Sequence, residues 1–211
     1  MYYDKLDAEG LMKKLLIILG ILFLGNCCFA EDTVITGSVD FNWVNMSQVE
    51  RDAEISQYQN LIFGDEIQTK IPRKEFRAKY KDFLKDEYYK TTYQLVMNGI
   101  TETSDANLCA FYYKNNVIYM YAIQYKKNPK TVYYYSAFGR LSYVDEMSDN
   151  YPDFPYYSKQ YRSNGKLAGA IYFISHDLQY VYEPDGTFKG VWYKEKMFDR
   201  NAKQILTRTN W

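Results

Sequence analysis

Aromatic and polar residues alternate with a period of two through the second half of this chain, and turn residues interrupt the alternation at short intervals. Of its 24 tyrosines, 20 lie between Tyr88 and Tyr193. A period of two sends successive side chains to opposite faces of a strand, so a helical second half is excluded. Leu108 to Lys114, the pair Asn115-Asn116 and Val117 to Lys126 read as a hairpin. Asn128-Pro129, Phe138-Gly139, Asn164-Gly165 and Pro184-Asp185-Gly186 mark further turns. Asn-Gly and Asp-Gly pairs supply the positive backbone φ that reverses a strand pair without strain. Residues 108–211 are therefore expected to form an antiparallel meander. Tyrosine joins an apolar ring to a polar tip, which suggests a thin sheet whose faces are only partly covered.

Aligning the turns exposes a recurring unit: an aromatic residue, three spacers, glycine, a polar residue and an apolar one. Tyr135, Gly139 and Leu141 form the first copy, Tyr161, Gly165 and Leu167 the second, and Tyr182, Gly186 and Phe188 the third. Phe198 to Ile205 reads as a decayed fourth copy with Ala202 in the glycine position. Successive tyrosines are 26 and 21 residues apart, an interval that indicates stacked supersecondary units. The pattern resembles the YD repeats of RHS-type proteins and MORN-like repeats, both built from successive β-hairpins. That resemblance covers residues 130–206 and implies a structural role for the nine repeat residues. It brings no catalytic residues.

Residues 31–107 are expected to be mainly helical. Glu31 to Trp43 begins extended, and Ser47-Gln-Val-Glu50 then has the spacing of a capping box. A helix from Gln48 to Leu61 follows, with Val49, Ala53 and Leu61 as its apolar face and Gly64 as its stop. Apolar residues then recur at helical spacing from Phe76 to Val96, between Pro72 and Gly99, which predicts one second helix. Between Lys70 and Lys90, eight basic residues face four acidic ones, a solvated basic surface. The whole is an α+β fold, with N-terminal helices packed on a tyrosine-rich antiparallel sheet.

At the start of the chain, Lys13-Lys14 precede an apolar run from Leu15 to Leu24, and Cys28 and Ala30 stand before Glu31. That order of charge, apolar core and small residues is a secretory signal over residues 1–30, cleaved after Ala30. Met12 is the more ordinary start for it. The apolar run falls short of the ~20 residues of a spanning helix, so no lasting membrane span is expected. Leu24-Gly25-Asn26-Cys27 also resembles a bacterial lipobox, the alternative being a lipoprotein anchored at Cys27. Removing residues 1–30 from the 211 leaves 181, enough for one domain. The remainder keeps 23 charges of each sign. Neutrality argues against nucleic acid, whose binding needs a sustained basic excess.

Chemistry is sparse. His176, in Ser175-His176-Asp177, is the one histidine, and Cys109 is the cysteine that remains after cleavage, expected to be buried and inert. A thiol activated by the imidazole is the enzymatic alternative, but neighbours on a strand point to opposite faces and cannot relay a proton. Asp145, Glu146, Asp149 and Asp153 form an acidic stretch without the glycine and alternation of a calcium loop, expected to be solvated. Trp211 alone does not make an outer-membrane strand, because residues 207–210 lack apolar alternation. The expectation is a periplasmic or extracellular binding or scaffolding protein. It would use an aromatic sheet surface, a protein or carbohydrate partner, and no metal or cofactor. A hydrolase using His176 and an envelope-anchored structural component are the alternatives.

Overall fold

Ser47 opens the first helix, α1 (Gln48–Phe63), with reciprocal bonds: the Glu50 amide donates to its Oγ at 3.3 Å, and its own amide donates to the Glu50 carboxylate at 2.7 Å. Gly64 ends it with a φ of 66°. The computed structural model describes residues 41–113 and 115–208. The export signal, Cys27, Cys28, the stretch 31–40 and Trp211 lie outside the described residues.

The buried face of α1 differs from the expected one. Val49, Ala53 and Leu61 are exposed, whereas Ile55, Ile62 and Phe63 are buried with Arg51. Arg51 enters the interface because its guanidinium satisfies backbone carbonyls there, donating to Trp43 at 3.2 Å and to Arg200 at 2.9 Å. A charged side chain tolerates burial when its donors are used in this way.

The expected second helix is broken into α2 (Arg73–Lys79), a 3₁₀ turn (Lys81–Phe83) and α3 (Tyr89–Met97). Tertiary hydrogen bonds override helical spacing in the gap. The Leu141 amide donates to the Leu84 carbonyl at 3.1 Å, and the Asp86 amide donates to that of Gly139 at 2.9 Å. Asp86 is itself buried, accepting from the Tyr121 hydroxyl at 2.7 Å and from the Tyr88 amide at 3.0 Å.

Among the described residues, one antiparallel sheet runs in sequence order through ten strands. They are β1 (Ala106–Tyr112), β2 (Ile118–Tyr125), β3 (Thr131–Ser136), β4 (Leu141–Met147), β5 (Tyr156–Arg162), β6 (Leu167–Phe173), β7 (Leu178–Tyr182), β8 (Phe188–Tyr193), β9 (Lys196–Phe198) and β10 (Gln204–Thr207). The meander is thus as expected.

Connections at one end of the sheet share a geometry. Tyr135 pairs with Leu141, Tyr161 with Leu167 and Tyr182 with Phe188, each just after a shift in register. Gly139, Gly165 and Gly186 between them have φ of 71°, 82° and 83°. Two other connections follow suit without glycine: Tyr112 pairs with Ile118 around Asn116 at 61°, and Phe198 with Gln204 around Ala202 at 59°. The partner of Phe198 is Gln204 rather than Ile205.

These tips carry the helical layer. A Cβ on Gly139 would lie 2.4 Å from the Tyr89 Cβ, and one on Gly165 would lie 2.4 Å from the Ile71 carbonyl oxygen. The backbone joins there as well, with the Ile71 amide donating to the Gly165 carbonyl and the Leu167 amide to that of Thr69, both at 2.8 Å.

Among the described residues eleven tyrosines are buried, against the expectation of a thinly covered sheet. Tyr121, Tyr133, Tyr135, Tyr161, Tyr172, Tyr180 and Tyr182 point toward the helices and pack with Trp43, Ile55, Phe76 and Val96. Their polar tips reach into the helical layer, as where the Tyr182 hydroxyl donates to the Ile55 carbonyl at 2.8 Å. The second face carries two smaller clusters, one around Phe111, Met120 and Tyr134 and one around Phe173, Val181 and Trp192. Alternation therefore separates two buried faces, not a wet one from a dry one.

The turn geometry generates opposite expectations at two equivalent positions. Gly165→Ala introduces both positive-φ strain and a backbone clash, and lowers unfolding stability by about 2 kcal/mol or more. Ala202→Gly relieves the strain and raises stability by up to about 1 kcal/mol. Denaturant titration of both variants reads the two signs.

Candidate functional site

Two features stand out, one on the surface and one inside. The surface feature is aromatic and lies at the hairpin end of β1 to β4. Phe138, at the β3–β4 tip, is 81% exposed because Gly139 beside it is pressed onto Tyr89. Tyr88, two residues after the buried Asp86, is 73% exposed. The Ala137 amide donates to the Tyr119 carbonyl at 3.1 Å, and the Tyr119 ring lies 4.7 Å from that of Tyr113. Tyr112 donates its hydroxyl to the Val96 carbonyl of α3 at 3.3 Å. Exposed rings thus stand just before α3 and on two hairpins. Tyr88 and Tyr113 could be suspected from the aromatic density; the exposure of Phe138 is set by the fold.

The interior feature lies on the sheet face opposite the helices. Pairing places Asn107, Gln124, Val132, Asp145, Gln160 and Gly169 side by side across β1 to β6. Asp145 is fully buried and accepts from the Tyr134 hydroxyl at 2.6 Å. Its other oxygen, Oδ1, meets no hydrogen-bond donor, and neither the Ser158 hydroxyl nor the Trp192 ring nitrogen on this face has a partner. Burial pushes the Asp145 carboxyl up to about 7, against the smaller opposing effect of bonds from Tyr134 and Gln160. Toward the end of the same face, Arg208 lies 4.6 Å from the Trp192 ring and reaches Gln179 at 3.4 Å. Its burial lowers the guanidinium to about 9.

The acidic stretch is a solvated loop only in part: Asp149 and Asp153 are exposed in the β4–β5 connection, whereas Asp145 and Glu146 are not. Asp145 and Glu146 belong to β4 and point to opposite faces, because strand geometry alternates them. Glu146 faces the helices, accepting from the Tyr80 hydroxyl and from Lys79 at 2.8 Å. Asp149 pairs instead with Lys130 at 3.0 Å. The carboxylates do not converge, and among the described residues no group of three or more His, Cys, Asp or Glu is arranged to hold a metal.

His176 sits in the exposed β6–β7 connection, 3.5 Å from Asp177 through Nδ1. Cys109 is half-buried in β1. The chain's other cysteines, Cys27 and Cys28, lie outside the described residues. Cys109 lies in β1 and His176 follows β6, so strands β2 to β5 stand between them in the sheet. The nine repeat residues occupy the hairpins described above, and the basic side chains between Lys70 and Lys90 are exposed on the helical layer. Among the described residues no helix is long and apolar enough to cross a membrane.

Comparison with known families finds no family model that matches the chain, and no curated protein matches it.

Asp145 makes stability depend on pH. Its carboxyl is raised in the fold, so between about pH 4 and pH 7 the folded chain holds a proton that the unfolded chain has released. Stability contributed in this way is full below pH 4 and is lost as pH rises to 7, with an upper bound of about 4 kcal/mol. Asp145→Asn removes that dependence and leaves the variant more stable than the parent above pH 7. Urea midpoints measured from pH 4 to pH 8 check both statements.

Proposed function

We propose that this is an exported, non-enzymatic binding protein of the bacterial envelope whose contact surface includes the exposed rings of Tyr88, Tyr113 and Phe138. The exposure of Phe138 on an anchored tip carries the reading. A large ring held in water on such a turn is available for contact with a partner. Rings fixed in place lose little conformational entropy on binding and present flat faces to a sugar ring or to a protein loop. The shared geometry of the five hairpins supports the reading of β1 to β10 as a MORN-like or YD-like array. In such an array the turns serve as display positions.

A form lipid-anchored at Cys27, through Leu24-Gly25-Asn26-Cys27, is the alternative route of export.

Processing is checked by intact mass after expression in a secreting bacterium. A chain beginning at Glu31 with a reactive Cys109 supports the secreted form, a diacyl mass on Cys27 supports the anchored form, and retention of residues 1–30 overturns export. Contact through the patch is checked with purified peptidoglycan in a sedimentation assay and with cross-linking to envelope proteins in cells. The triple change Tyr88→Ser, Tyr113→Ser and Phe138→Ser is expected to lower binding at least tenfold with an unchanged circular dichroism spectrum. Undiminished capture by that variant would place the contact surface elsewhere.

A further inference from the structure

We propose that the end of the sheet where the β3–β4 and β5–β6 tips meet the helical layer docks on an anionic lipid surface. Two pairs of like charges are set opposite one another there. Lys70 pairs with Lys166 and Lys85 with Arg140, each in an isolated antiparallel bridge, and all four residues are exposed. Partners in such a bridge send their side chains to the same face about 5 Å apart, and like charges placed in this way repel. Among the described residues none of the four forms an ion pair with a carboxylate. The pairs stand on neighbouring tips, since the Ser163 amide donates to the Ser142 carbonyl at 2.9 Å. Between them along the chain runs α2, with Arg73, Lys74 and Arg77 exposed.

Charge and exposed apolar surface together decide the partner. The chain carries 26 basic and 26 acidic residues, so the excess is local and is placed by the fold where the two tips meet residues 70–85. An anion between like charges offsets their repulsion, and a surface bearing many phosphates serves both pairs at once. Phe138 stands two residues before Arg140 on the same tip, 81% exposed. A soluble polyanion leaves that ring in water, whereas the interface of a bilayer takes the ring at the acyl boundary and the cations at the phosphates. The Asp86 amide donates to the Gly139 carbonyl at 2.9 Å and so fixes ring and cations in one arrangement before contact. The choice of a lipid partner rests on the reading of Phe138 as a contact residue; the cationic pairs stand without it.

The test is co-sedimentation of the full chain with vesicles of phosphatidylcholine containing about 30 mol% phosphatidylglycerol, and with vesicles of phosphatidylcholine alone. The anionic vesicles are expected to bind at least about tenfold more tightly, and raising salt from about 50 mM to about 500 mM is expected to remove the preference. An acyl group on Cys27, or a retained apolar run, acts on both kinds of vesicle and in every variant, so it does not produce the differences that are read. The fourfold change Lys70→Gln, Lys85→Gln, Arg140→Gln and Lys166→Gln is expected to abolish the preference while the urea midpoint holds or rises, because it removes like-charge repulsion. Changing Lys127, Lys194 and Lys196 to glutamine at the other end of the sheet is expected to leave the preference within about twofold. Phe138→Ser is expected to weaken binding about threefold or more. Equal binding to both kinds of vesicle, a preference that survives high salt, equal loss in the two charge variants, or retention on inorganic polyphosphate with none on anionic vesicles overturns the proposal. The fourfold variant keeps Tyr88, Tyr113 and Phe138, so its capture of peptidoglycan and its cross-linking report on the rings alone, and failure of that reading is distinguishable from failure of this one.

Discussion

Glycine turns pressed against backbone hold the two layers of this protein together. At Gly165 the chain must adopt a positive φ, and the Ile71 carbonyl lies where a side chain would begin. The same residue accepts the Ile71 amide, so close approach and hydrogen bonding are one event. Gly139 repeats the arrangement with Tyr89 and Asp86. The positions of α2 and α3 follow from these contacts. So does the interruption between them, since the Leu84 carbonyl and the Asp86 amide are bonded to the hairpin instead of to a helix.

Behind the turns, tyrosine lets a sheet be buried on both faces while its polar atoms stay satisfied. Each ring fills core volume, and hydroxyls such as those of Tyr121 and Tyr182 end on acceptors in the helical layer. A phenylalanine at Tyr121 would pack as well but leave an Asp86 carboxylate oxygen short of a donor, and a buried acceptor without a donor costs about 1–3 kcal/mol. The second face lacks that compensation at Asp145, Ser158 and Trp192. The helical side is thus the better paired of the two.

Local signals were legible where a short-range rule governs the backbone. Ser47 and Glu50 announce the start of α1, and Asn164-Gly165 and Asp185-Gly186 announce hairpins, because capping and positive φ depend on a few neighbouring residues. Asn116 was not recognised as an equivalent turn position, although asparagine tolerates the left-handed region and the Tyr112, Asn116, Ile118 spacing matches the other copies. Val49 and Leu61 misled because a thin apolar stripe on a polar helix does not determine which side meets the sheet.

What the sequence determined by itself is the class of fold: period-two aromatics with regular turn residues admit a meander, and capped helical stretches before it admit a helical layer. What only the tertiary structure decided is which residues are exposed and which are not. Asp145 and Glu146 are adjacent carboxylates of the same kind, yet one is sealed in the sheet and the other is paired with Lys79. Phe138 and Phe173 are both single aromatics near turns, yet one stands in water and the other is buried. Burial is set by strands and helices distant in sequence, and no window of neighbouring residues contains them.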